Sequence, residues 1–167
     1  MKGLGSFLVA ASLALGPAAA TAATAAEGDR VRVQSVEVRV SPVGPVVLLK
    51  VKSRAIPVFV DAIVAESIQA ALTGRKTPRP LTHDLVHTIL EAYDGRVTQV
   101  VVTLKERTFY GALTVMVQKS TRVFDSRSSD AIALAIHFKA PILVPQDLLD
   151  SNGMDLDDPA PKPETRT

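Results

Sequence analysis

The chain has 167 residues, 47% apolar and 22% charged, the size and balance of one globular domain with one core. Its 19 Lys and Arg against 17 Asp and Glu leave a formal charge of +2, far from the dense basic footprint of a dedicated nucleic-acid binder. Cysteine is absent, which excludes disulfide frameworks, thiolate zinc sites and cysteine nucleophiles, and 5 Phe, 2 Tyr and no Trp offer little material for a base-stacking platform.

Residues 1–26 read as a secretory signal peptide. Lys2 is the only charge there, residues 4–15 form an apolar run, and Ala20-Thr21-Ala22 and Ala23-Thr24-Ala25 are small-residue cleavage sites. The mature protein is therefore expected to be exported, periplasmic or secreted, and nothing after residue 26 has the length of a membrane span. The domain itself is expected over residues 27–154, followed by a disordered tail rich in proline and acids over residues 155–167.

From Val31 to Val60 β-branched residues alternate or run in short blocks. The pattern predicts a strand over residues 31–40 with a register break near Ser35, then strands over 46–51 and 56–60. Residues 62–73 change to a helical period, with Ile63, Ser67, Ile68, Ala71 and Leu72 on one stripe and Gly74 as the stop. Pro78-Arg79-Pro80 forbids helix, and Thr82 then stands as the N-cap of a second helix. Leu85, Val86, Ile89, Leu90 and Tyr93 are its expected core stripe, and Asp84 faces the dipole in its first turn. Strands are predicted over 97–104, 109–117 and 122–124. A third helix over 128–139 is apolar all round and so must be buried. Residues 141–145 suit a short edge strand and 147–151 a final helical turn. Strands, then helices, then strands again predict a single compact α+β domain, a mainly antiparallel sheet packed with three helices.

Neither a glycine-rich phosphate loop nor a Gly-x-Ser-x-Gly elbow is present, which removes nucleotide-cofactor and hydrolase-elbow chemistry. Two polar clusters remain, both at structural transitions. The first holds Arg79, Thr82, His83, Asp84, His87 and Glu91. Its i, i+4, i+8 spacing puts His83, His87 and Glu91 near one helix face, as a weak metal site or as a solvated polar stripe. The second holds Asp125, Arg127, Ser128, Ser129 and Asp130, two carboxylates and a guanidinium just before a helix with no polar face. A serine N-cap with an Arg127 to Asp125 ion pair is one account of it. Phosphate chemistry is the other, with aspartates on Mg²⁺ or Mn²⁺, arginine neutralising charge and a nearby histidine carrying a proton.

Three blocks at these residues resemble the bifunctional nuclease family: Pro78-Arg79-Pro80-Leu81-Thr82-His83-Asp84-Leu85, Thr108-Phe109-Tyr110-Gly111-Ala112-Leu113, and the run from Asp125-Ser126-Arg127-Ser128-Ser129-Asp130 to Ala135. The resemblance covers roughly residues 31–154. It implies a compact α+β domain, often oligomeric, that acts on DNA and RNA. It departs from the family where Arg127-Ser128-Ser129-Asp130 stands for Arg-Pro-Ser-Asp, and where Val60-Asp61 and Val64-Ala65 replace an Ile-Gly and a Glu-Ala.

Carried onto these positions, the resemblance implies a metal-assisted phosphodiesterase. Asp125 and Asp130 would be catalytic and hold the divalent ion (Mg²⁺ or Mn²⁺), and His83 would be the general acid or base oriented by Asp84. Arg79 and Arg127 would clamp phosphate, with Tyr110 and Ser129 also touching substrate. The alternative is a non-catalytic periplasmic binding or assembly module that uses the same cluster for an anionic ligand or a protein partner. A homodimer or higher oligomer is expected from the resemblance and from valine-rich strand edges that need covering. The phosphodiesterase expectation requires the two clusters to meet in space, at converging helix N-termini.

Overall fold

The computed structural model describes residues 29–156, so the signal-peptide reading of residues 1–26 and the tail beyond residue 156 lie outside the described residues. The elements in chain order are β1 (Arg30–Arg32), β2 (Ser35–Ser41), β3 (Gly44–Val51), β4 (Arg54–Phe59), α1 (Ala62–Thr73), α2 (Thr82–Ala92), β5 (Gly95–Lys105), β6 (Thr108–Val117), β7 (Ser120–Arg127), α3 (Ser128–His137), β8 (Ile142–Pro145), α4 (Gln146–Asn152) and β9 (Met154–Asp155). This is the expected α+β class, with the final helical turn long enough to count as a fourth helix. No helix among the described residues is long and apolar enough to cross a membrane.

The strands form two sheets rather than one, a five-stranded sheet in the order β1-β8-β5-β6-β7 and a four-stranded antiparallel sheet in the order β2-β3-β4-β9. The register break foreseen near Ser35 is where the chain changes sheets. Val33 N donates to Ile142 O in one sheet, Gln34 N donates to Lys50 O in the other, and the Gln34 side chain accepts from Lys52 N. Residues 31–40 are therefore two strands. The segment expected as an edge strand, β8, lies inside its sheet between β1 and β5, parallel to β5, with Val144 fully buried. Its prolines are tolerated because they stand at its two ends, Pro141 just outside and Pro145 as the last residue. Asp155 and Leu156, assigned to the tail by composition, are instead held: β9 pairs with β4, and Leu156 N donates to Ser53 O.

Residues of both sheets and of α1 and α3 share one core, which includes Leu49, Ile56, Ile68, Val100 and Ile132, all fully buried. As its composition demands, α3 is buried from Ser128 through Ala135, apart from Asp130. It rides directly on β6 at Gly111, where a Cβ would stand 2.6 Å from that of Ala131, a separation only glycine permits. The β5 to β6 turn places Glu106 and Arg107 at φ 47° and 66°, the left-handed pair of a tight hairpin.

The face of α2 departs most from expectation. His83 is 7% exposed, whereas Leu85, Ile89 and Tyr93 are 53%, 48% and 70% exposed. Only Val86 and Leu90 of the apolar stripe pack against the core. The helix is turned so that its first-turn histidine reaches α1 and α3, where polar partners await it. Its N-cap is Leu81, with Thr82 the first helical residue, and Asp84 accepts from the Leu81 backbone N–H at 2.8 Å. The capping is thus done from inside the helix, and Thr82 is not needed for it.

Candidate functional site

The N-termini of α1, α2 and α3 converge on a cleft of about 670 Å³. Asp61, the N-cap of α1, accepts from Val64 N at 2.9 Å and stands on the rim. His83 comes from the first turn of α2. Arg127 is the N-cap of α3, and Asp130 belongs to its first turn. Ile63, Val86 and Leu134 make the apolar wall.

Arg127 grips Asp130 in a two-pronged pair, with Nε donating to Oδ2 at 2.7 Å and Nη2 to Oδ1 at 2.9 Å. Its third nitrogen, Nη1, is 3.6 Å from Asp61 Oδ2. Asp130 Oδ1 is also 3.2 Å from His83 Nε2. Burial alone would raise the Asp130 pKa, but the hydrogen bonds from Arg127 and His83 outweigh it and hold the carboxyl below its ordinary value. The same pair raises the pKa of Arg127. The cleft thus keeps an ionised carboxylate between a fixed cation and an imidazole.

Behind His83 the polar chain continues inward. His83 Nδ1 is 3.0 Å from Ser67 Oγ, Ser67 Oγ is 3.4 Å from His137 Nε2, and His137 Nδ1 is 3.8 Å from Asp84 Oδ1. The His87 ring lies tilted against His137 at 5.8 Å and against Phe138 at 4.4 Å, so all three histidines of the chain gather here. One hydroxyl between two imidazoles has one proton to give. With both rings neutral, three protons serve four contacts, so one contact sets two acceptors against each other. One added proton satisfies every contact, and a second would leave the hydroxyl proton without an acceptor. Burial is the first cause of a lowered His137 pKa, and the neighbouring histidines add to it against the pull of Asp84. Ser67, His83 and Asp130 have the residue types of a nucleophilic triad, but Ser67 is 2% exposed and out of substrate's reach.

The expected meeting of the two clusters is therefore real for His83, Asp130 and Arg127, with Asp84 one layer behind. Other candidates stand apart from the cleft lining. Arg79 is exposed on the proline-rich link, where its carbonyl accepts from Thr77 Oγ1. Tyr110, 40% exposed on β6, is the cross-strand partner of Arg127. Ser129 is buried, and borders a second cavity that shares Asp61 and Arg127 with the cleft. Asp125 is exposed on β7 opposite Ala112, and Arg127 pairs with Asp130 in its place, because the N-cap residue reaches over the first turn of its own helix.

This arrangement does not fit the divalent ion expected on Asp125 and Asp130. Both oxygens of Asp130 are engaged by protein donors, Asp125 does not line the cleft, and among the described residues no group of three His, Asp or Glu is arranged to hold a metal. His87 and Glu91, 3.5 Å apart, form an i, i+4 pair rather than a ligand set.

Asp61, Ser67 and His137 belong to the network and were not among the candidates. Asp61 carried a legible clue, an aspartate directly before a helical stripe. Ser67 had only its polarity within an apolar stripe, and His137 had none.

Comparison with known proteins places this geometry. The profile of the bifunctional nuclease domain matches residues 46–157, a stretch that holds every residue of the cleft. Two curated relatives in strains of Mycobacterium tuberculosis, the uncharacterized proteins MT1877 and Rv1829, are each 32% identical to it over 127 residues, covering 74% of this chain and 76% of theirs. The three blocks around Arg79, Tyr110 and Asp130, the α+β fold and the profile agree, and the chain belongs to the bifunctional nuclease domain family.

Proposed function

We propose that the domain hydrolyses phosphodiester bonds in DNA and RNA at the cleft between the N-termini of α1, α2 and α3. One observation supports this above the others: Asp130 meets both His83, at 3.2 Å, and Arg127, at 2.7 Å, although they come from separate parts of the chain. Arg127 has a 67% exposed side chain and can present its guanidinium to a phosphate's free oxygens. That shift would loosen its hold on Asp130 and leave the Asp130–His83 pair to move protons. As the water oxygen bonds to phosphorus, the pair takes the water proton. The P–O bond to the leaving oxygen breaks with its electron pair on that oxygen, and the Asp130–His83 pair gives its proton there. His83 is held for this task by Ser67, which fixes the ring from behind.

The test is cleavage of single- and double-stranded DNA and RNA by the purified protein. Asp130→Asn and His83→Ala are expected to lose at least about a hundredfold in rate, the scale of a lost general acid or base. Equal cleavage by wild type and both variants overturns the assignment.

A second reading, a binding module without catalysis, has its own support: His83 is only 7% exposed and both its ring nitrogens are engaged by protein partners. Binding of a labelled oligonucleotide that weakens steeply with salt, but with no cleavage in any buffer, would favour it.

A further inference from the structure

Adjoining the cleft, with Asp61 and Arg127 shared between them, lies a shallow cavity of about 490 Å³, bordered also by Phe59, Arg107, Ser128 and Ser129. Its charge is the reverse of the cleft's. Two guanidinium groups face one carboxylate here, whereas in the cleft Asp61 and Asp130 face Arg127 alone. Arg107 stands exposed on the β5 to β6 turn and makes no ion pair among the described residues.

Two further features point to a ligand. Ser128 and Ser129 are 6% and 8% exposed, and neither hydroxyl has a hydrogen-bond partner among the described residues. Neither is sealed away from solvent: among the described residues the one sealed side-chain atom without a hydrogen bond is Arg54 Nε, which has Asp155 Oδ1 at 3.4 Å. Each hydroxyl sits in a buried residue, bonds no protein group among the described residues, and is left to bond whatever occupies the cavity it borders. The α3 N-terminus is also left open. Asp61 caps α1 and Asp84 folds back to the N-cap of α2, but Arg127 gives α3 no side-chain cap and Asp130 turns its carboxylate to Arg127 and His83. The first-turn N–H groups of α3 lack the side-chain acceptor that Asp61 supplies to α1.

We infer that this cavity is a phosphate subsite for the nucleotide flanking the bond to be cut. The phosphate oxygens accept from the first-turn N–H groups of α3 and from the Ser128 and Ser129 hydroxyls, with Arg107 supplying the countercharge. Phe59, 60% exposed at the mouth, offers an aromatic face for the attached base. The choice of a nucleotide rests on the nuclease reading; the anion site itself does not. Arg127 borders both cavities, so a polynucleotide would cross it, one phosphate in the cleft and the next at α3.

The experiment is NMR titration of the ¹⁵N-labelled protein, first with inorganic phosphate and then with a phosphorothioate-linked dinucleotide that resists cleavage. Both are expected to move the Ser128 and Ser129 amides, and only the dinucleotide to move the Phe59 ring, with at least about tenfold tighter binding. Arg107→Gln should weaken both ligands about tenfold, the scale of one charge-assisted contact. Lys119→Gln, which removes equal charge at the other end of the β6–β7 hairpin, should weaken neither. Still amides at Ser128 and Ser129, or equal weakening by the two substitutions, overturn the subsite. Phosphate binding without tighter dinucleotide binding overturns the nucleotide assignment. A protein that binds the dinucleotide here yet cuts no substrate fails the nuclease reading and keeps the subsite.

Discussion

The helices α2 and α3 meet at the cleft and are built on opposite plans. Hidden almost completely, α3 sets its only charged carboxylate at the one place where the cleft opens. Among its residues α2 buries only His83, and it leaves a leucine and an isoleucine in water, with the tyrosine that caps its C-terminus. One is positioned by packing, the other by a polar chain. A histidine with two polar partners in reach, Ser67 and Asp130, can set a helix's rotation against its own apolar stripe, when the rest of the helix contributes only Val86 and Leu90 to the core.

The contrast is broken most forcefully in α3. Ile132 is fully buried, so Ile132→Ala is expected to lose about 2–5 kcal/mol in urea unfolding, the range for emptying a core position. A loss under 1 kcal/mol would mean that α3 is not held by packing.

Acid should act next, and through the polar chain. The folded Asp130 pKa lies below the ordinary 3.8, so its share of stability is present above that value and lost as pH falls below it. The folded His137 pKa lies below 6.5 because burial resists the charge, so stability is full above 6.5 and declines as pH falls beneath it. The thermal midpoint is expected to drop in two stages on acidification. Asp130→Asn should flatten the lower stage, leaving the part from Glu37, whose carboxyl is held at about 2 by hydrogen bonds from Arg39 and Lys50. An unchanged lower stage in that variant would detach Asp130 from the folding balance.

The smallest effect belongs to the outer face of α2. Ile89→Ser is expected to change stability by no more than about 0.5 kcal/mol, because the residue is 48% exposed. A larger loss would show that this face is covered in solution, and size-exclusion chromatography of both forms would then reveal the second copy.

Against this background it is clear why some parts of the molecule were legible and others not. The strands β3, β5 and β6 announce themselves by β-branched runs, and Gly74, at φ 68°, ends α1 as its position promised. The buried nature of α3 follows from six consecutive apolar residues, from Ala131 to Ile136. The rotation of α2 was not legible, because hydrophobic period ranks leucine above histidine and cannot see Ser67 and Asp130 on the neighbouring helices. The central place of β8 was hidden for a similar reason: two prolines suggest an edge, and only the register shows that both sit at strand ends. At the site, His83, Asp130 and Arg127 could be named from residue type and position. Their pairing, with Asp125 left outside, depends on the aim of an N-cap side chain that no spacing encodes.

Arg127 is at once the last residue of β7 and the N-cap of α3, with no loop between them. Strand register and helix phase are therefore geared together. One residue inserted in the β6–β7 turn lengthens a loop and leaves the gearing alone. One residue inserted between Arg127 and Asp130 turns the rest of α3 by about 100° relative to the sheet and swings Asp130 out of the cleft. Along this hairpin, tolerance to insertion should collapse within a few residues of the helix, and a scan of single-residue insertions would trace the boundary between scaffold and site.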